Sequence, residues 1–194
     1  MSAHPFDALV DWFPNYCDAA KLPLFYKHWQ LMLTWNARTN LTAIKTDSEA
    51  LLKHYADSLI MTEILPQTGH VLDVGSGGGF PGIPLAIACP HLEWTLLEPR
   101  QKRVSFLRAT VARLGLQNVS IIAGRSDEAP KTSCDMAVTR ATFSDVGDAR
   151  SVLAWLNAGG ALYALRALDA DAWPGAEAQQ YKFGEHVRRI DRLL

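Results

Sequence analysis

Residues 70–88 constrain the fold of this chain more than any other stretch: His70-Val71-Leu72-Asp73-Val74-Gly75-Ser76-Gly77-Gly78-Gly79-Phe80-Pro81-Gly82-Ile83-Pro84-Leu85-Ala86-Ile87-Ala88. A short apolar run carries an acid near its end, a glycine-rich turn follows, and the turn opens a helix. Gly75, Gly77 and Gly79 allow the backbone positive φ and let a ligand approach the main chain with no Cβ in the way. Units of this kind build open parallel sheets, which bind ligands beyond the carboxyl ends of their strands. The spacing is Asp-x-Gly-x-Gly-x-Gly, with the acid inside the motif, not the Gly-x-Gly-x-x-Gly of dinucleotide binders. Asp73 repels a pyrophosphate, whereas a partly dehydrated carboxylate attracts an amino or sulfonium group. A second acid, Glu98, closes the next apolar run, Trp94-Thr95-Leu96-Leu97, where such folds place the carboxylate that holds ribose hydroxyls. An ordinary tight turn explains the glycines alone but not Glu98 in register. The combination predicts a pocket for S-adenosylmethionine rather than NAD.

The surrounding pattern fits that pocket. Phe6, Leu9, Val10 and Phe13, then Leu22, Phe25, Trp29 and Met32, recur at three- and four-residue steps and predict amphipathic helices, with Pro14 and Pro23 near the joints. Thr46-Asp47-Ser48-Glu49 has the form of a capping box, and the helix it starts should run to about Leu65, before Pro66. From His70 onward, apolar runs at Val71 to Val74, Trp94 to Leu97, Val119 to Ile122, Met136 to Val138 and Ala161 to Leu165 alternate with helical stretches. One of those helices should end at Leu114 before Gly115. Another should run from Val146 to Leu156, with Gly159-Gly160 near its stop. Alternation of this kind predicts a mostly parallel, doubly wound α/β sheet. The expected organisation is a helical extension over residues 1–66 packed on a Rossmann-like core over residues 67–194, one compact unit overall.

Composition narrows the classes. The chain has 194 residues, 48% of them hydrophobic, enough for one sizeable core. No basic-then-apolar leader and no bilayer-length apolar run are present, so a cytosolic protein without membrane contact is expected. Cys17, Cys89 and Cys134 are odd in number and lack paired spacing, which favours reduced, buried thiols over a metal site or disulfide. Formal net charge is −1, so any contact with nucleic acid must come from a local patch.

Asn40-Leu41-Thr42, His54-Tyr55-Ala56-Asp57-Ser58-Leu59, the loop with Phe80-Pro81-Gly82-Ile83-Pro84-Leu85, and Lys102-Arg103-Val104-x-Phe106-Leu107 occur in that order. Through them the chain resembles the small-subunit ribosomal RNA methyltransferase G family, also called glucose-inhibited division protein B, from roughly Trp35 to Arg166. The resemblance implies a Rossmann-like class I S-adenosylmethionine-dependent methyltransferase fold and methylation of guanine N7 in the 530 loop of 16S rRNA. The partner implied is the small ribosomal subunit or its assembly intermediate, and a monomer is expected. By motif position, the cofactor contacts implied are Gly75 and Phe80, Ser126 and Asp127 after the third strand, and Arg140 after the fourth.

Guanine N7 has a lone pair and no proton at neutral pH, so no general base is required and no catalytic acid or base is assigned. His54 and Asp57 lie one turn apart on one helix face; with Asn40 and Arg140 they are positioning candidates at the cleft rim. Taken singly, His54 reads equally as a partly buried structural histidine, Asp57 as part of a structural network, and Arg140 as a surface ion pair. Arg38, Lys45, Lys53, Arg100, Lys102 and Arg103 are candidates for a phosphate-binding rim, with Arg108 and Arg113 adding charge, though each alone is an ordinary solvated residue. The carboxyl end departs from the family: Arg166-Ala167 stands where a Lys-Gly pair is usual. His186 to Leu194 is expected to form a sixth strand, leaving the antiparallel last strand of the usual seven absent and a sheet edge exposed. A small-molecule or protein methyltransferase on the same fold, or a ribosome-binding protein with a vestigial cofactor site, are the alternatives.

Overall fold

The computed structural model describes residues 4–140, 142–183 and 186–194. Seven strands form one sheet: β1 (His70–Val74), β2 (Glu93–Glu98), β3 (Val119–Ala123), β4 (Cys134–Arg140), β5 (Leu156–Arg166), β6 (Glu177–Phe183) and β7 (His186–Leu193), in the order β3-β2-β1-β4-β5-β7-β6. The first five strands pair in parallel. Val71, Leu72, Asp73 and Val74 are all buried, as expected for a central strand covered on both faces. Strand order reverses between β1 and β4, the switch point at which open α/β sheets bind ligands.

Two expectations are corrected. The antiparallel last strand is present: His186–Leu193 is the seventh strand, not the sixth, and pairs antiparallel with both β5 and β6. The sixth strand is the polar run Glu-Ala-Gln-Gln-Tyr-Lys-Phe, at the edge of the sheet. An edge strand needs no apolar alternation, and its charged residues discourage pairing with another chain. Residues of β7 alternate instead, with Ile190 in one hydrophobic cluster and Leu193 in the other. Gly159-Gly160 does not stop a helix either. The helical segment closes as a 3-10 turn at Ser151–Trp155, and β5 begins at Leu156. The two glycines sit within that strand, where the β4–β5 register shifts between Cys134 and Met136, and a Cβ at Gly160 would lie 2.8 Å from the Asp135 carbonyl oxygen.

The amino-terminal helices share a core with the sheet. Phe25, Trp29 and Met32 of the Leu22–Thr39 helix join Ile83, Leu96 and Phe106 in one buried cluster. Pro23 sits in the first turn of this helix, where its missing N–H costs nothing. Thr46 caps the next helical run over residues 47–64 through the Glu49 amide. That run contains a π-helical stretch, Leu51–Ala56, which carries His54. The three cysteine thiols are buried and free.

Candidate functional site

A cavity of about 1070 Å³ opens beyond the carboxyl ends of β1, β2 and β4. Its floor is the glycine loop, pinned to β2 by Gly75 N–H donating to the Leu97 carbonyl at 2.8 Å. Gly75, at φ +72°, is packed from below: a Cβ there would collide with the Thr142 side chain. Gly77, at φ +54°, has nothing nearer to such a Cβ than Arg103 Nη1 at 3.6 Å. Gly75 therefore serves the fold as well as the site, whereas Gly77 leaves the cavity wall bare of side chain. Gly79 lies below the loop, facing Ile83 and His28 rather than the cavity lining.

The two sequence-predicted acids separate. Glu98 lines the cavity, with Oε2 accepting from Gly77 N–H and Oε1 from Arg100 N–H, each at 2.9 Å. Each oxygen keeps a second lone pair, which suits it to accept hydroxyls from the cavity. Asp73 is fully buried beneath the loop, outside the cavity lining. Its Oδ2 accepts from Gly82 N–H at 3.0 Å, and its Oδ1 has no partner among the described residues. Burial pushes the Asp73 carboxyl up to about 7.

Directly after the loop glycines, Phe80 forms a stack with His54 and Arg140. The His54 and Phe80 rings lie 4.4 Å apart at 17°, and the Arg140 guanidinium sits 5.0 Å from the Phe80 centroid. Arg140 donates to the Lys53 carbonyl at 2.7 Å and to His54 Nδ1 at 3.1 Å. A guanidinium can only donate, so Nδ1 accepts and the histidine proton resides on Nε2, which donates to Thr42 Oγ1 at 2.8 Å. Burial, with Arg140 adding to it, holds His54 down at about 3, so the ring is neutral. Asp57 lines the cavity and is gripped by both prongs of Arg188, each at 3.0 Å. Asn40 ends the Leu22–Thr39 helix in a left-handed conformation and does not line the cavity, although its neighbour Leu41 does.

At the far end, Ser126 and Asp127 both line the cavity. Ser126 is fixed by Ser151 Oγ and by the Trp155 indole N–H donating to its carbonyl. Asp127 is exposed and paired with Arg125. Of the basic-rim candidates, Lys53, Arg100 and Arg103 line the cavity, whereas Arg38, Lys45 and Lys102 are exposed and lie outside it.

Sequence reasoning missed three contributors. His28 is fully buried, its Nε2 bonded to the Gly78 carbonyl at 2.9 Å and its Nδ1 to the Tyr55 hydroxyl at 3.0 Å. It ties the glycine loop to the helices, and burial lowers its pKa to about 4. A polar residue on the apolar face set by Phe25, Trp29 and Met32 was the available signal. Thr142 supports Gly75, and no pattern marks it. Arg188 comes from β7, whose pairing no local signal disclosed.

A profile of the family described as rRNA small subunit methyltransferase G matches residues 21–188. Among curated proteins, the ribosomal RNA small subunit methyltransferase G of Solibacter usitatus is 36% identical over 168 residues, covering 86% of this chain and 80% of that protein. Its namesake from Alkaliphilus metalliredigens is 42% identical over 128 residues, covering 62% of this chain and 53% of that protein. The chain spans about half the length of several curated relatives it matches. Among solved structures, a SAM-dependent methyltransferase from Aquifex aeolicus aligns with TM-score 0.57 at 15% identity, over 75% of this chain and 93% of that one. A hypothetical protein from Thermus thermophilus aligns with TM-score 0.58 at 21% identity, over 78% and 92%. These likenesses show the fold.

Proposed function

Because the chain belongs to the ribosomal RNA small subunit methyltransferase G family, we propose that it methylates N7 of a guanine in the 530 loop of 16S rRNA, with S-adenosylmethionine as donor. The observation that carries the reading is one cavity walled by a bare glycine loop, Glu98 and the Arg140–His54–Phe80 stack. The residues present fit an adenosyl cofactor. Gly77 leaves room against the loop, Glu98 has lone pairs for ribose hydroxyls, and Ser126 and Asp127, lining the same cavity, would offer polar groups to the heterocycle. Bound there, S-adenosylmethionine supplies an electrophilic methyl group on a sulfonium.

The chain's own residues then orient rather than transfer protons. His54 is neutral with both nitrogens engaged, and Asp57 is ion-paired to Arg188. Guanine N7, which carries a lone pair and no proton, would accept the methyl group that the cofactor supplies without help from a base. With no proton to move, rate enhancement comes from holding nucleophile, methyl and leaving group in line. Arg140 is fixed by two acceptors, and the Phe80 face beneath it makes the wall rigid.

The test is transfer of labelled methyl from S-adenosylmethionine to small ribosomal subunits from a strain lacking this modification, beside naked 16S rRNA, with nucleoside identification after digestion. Label as 7-methylguanosine is expected. No label from a sample that binds S-adenosylhomocysteine would overturn the assignment.

A further inference from the structure

We propose that a smaller chamber beside the cavity seats the target base and that Arg166 is the donor that reads its O6; this rests on the methyl-transfer reading above. The chamber, about 200 Å³, lies over the carboxyl ends of β4 and β5 and is walled by Thr139, Phe143, Ala164, Arg166 and Trp173 among others. Phe143 and Arg166 line the large cavity as well, so the two spaces adjoin across shared walls.

Its chemistry is that of a base pocket. Enzymes that act on a base take it out of its stack into a pocket, and RNA readers hold splayed bases against aromatic rings and guanidinium planes. Trp173 is 5% exposed, so its ring is a fixed wall of the chamber. The Arg166 guanidinium lies 4.4 Å from the Trp173 ring centroid. Its hydrogen bonds both leave from Nη1, to the Asp171 carbonyl at 2.6 Å and Asp191 Oδ2 at 2.9 Å. Asp191 is fully buried and also holds Arg189, so two guanidinium groups share one carboxylate and an excess positive charge borders the chamber.

That arrangement discriminates among purines. Guanine offers an O6 acceptor where adenine carries an amino donor. The usual two-point arginine grip on O6 and N7 would cover the reacting lone pair. Nη1 is committed to Asp171 and Asp191, and Nη2 remains to donate to O6; an approach through that one donor leaves N7 open.

The experiment uses small subunits reconstituted on 16S rRNA carrying guanine or 2,6-diaminopurine at the methylated position; the analogue keeps N7 and the stacking face but replaces O6 with an amino group. The native enzyme should prefer guanine by about 100-fold in kcat/KM. Arg166→Met should lose most of that preference while binding S-adenosylhomocysteine as the native enzyme does. Phe143→Leu, which leaves every ion pair in place and guards against a Met variant that fails to fold, should raise KM for both substrates by about tenfold. Retained guanine preference in Arg166→Met, an unchanged KM in Phe143→Leu, or lost S-adenosylhomocysteine affinity in either variant would overturn the inference. Absence of transfer to guanine by a native enzyme that binds S-adenosylhomocysteine would instead overturn the methyl-transfer reading itself.

Discussion

At the scale of single residues, the site depends on where a side chain is missing as much as on where one is present. Gly77 combines a left-handed φ with open space above it. Gly77→Val introduces a β-branched side chain where that conformation is disfavoured and points bulk toward the cavity. S-adenosylhomocysteine affinity in a folded variant should fall at least about 100-fold, measured by calorimetry; native affinity would refute the pocket. The buried titratable groups predict acid sensitivity. His28 and His54 are lowered to about 4 and 3, so the unfolded chain takes up their protons first. Their stability contribution is present above about pH 6.5 and is lost as pH falls toward 4. Asp73, raised to about 7, works in the opposite sense, because the native state takes up its proton first. Two groups against one leave these residues lowering stability as pH falls from about 6 to about 4. His54→Gln keeps an acceptor for Arg140 and a donor for Thr42, and it should flatten that slope in urea midpoints measured across the range. A slope as steep as the native one would exclude His54 as a source. Gly77, His54 and Asp73 were legible from motif spacing, whereas His28 was not, and none of their partners was: Asp73 read as a cavity acid and turned out to hold Gly82 N–H.

At the scale of elements, the last two strands decide how the site is closed. Strand β7 brings Arg188 to Asp57 of the π-containing helical run, and Arg189 and Asp191 to Arg166 at the end of β5. Asp191→Ala leaves two largely buried guanidinium groups without their carboxylate, which should cost about 3–5 kcal/mol. Urea unfolding checks this, and a loss below about 1 kcal/mol would mean that water or backbone carbonyls replace the acid. Strands β1, β2 and β4 were legible because central parallel strands are continuous apolar runs, and β3 and the second half of β5 because each also carries a short apolar run. Strand β6 was not, because an exposed edge strand carries no such run, and β7 was misplaced because its polar positions meet partners far away in sequence. The Gly159-Gly160 pair looked like a helix stop, whereas Gly159 takes a φ of +84° within the strand and Gly160 lies against the Asp135 carbonyl.

At the scale of the whole molecule, the amino-terminal helices and the sheet share one buried cluster, and His28 fastens the glycine loop from the helical side. Unfolding should therefore follow a single transition, with tryptophan fluorescence and far-ultraviolet circular dichroism coinciding. An earlier fluorescence midpoint would show the helices detaching while the sheet survives. The sequence by itself determined the parallel core, the ligand loop at its switch point and the identity of the acids and bases near it, because strand burial and glycine spacing are local properties of the chain. Only the tertiary structure decided which of those groups face the cavity, which are consumed as struts, and that the closing strands bring arginines to its wall. Those outcomes are set by pairings across scores of residues, as between Asp57 and Arg188 or Arg140 and Lys53, and no local pattern encodes which distant partner a polar group will meet.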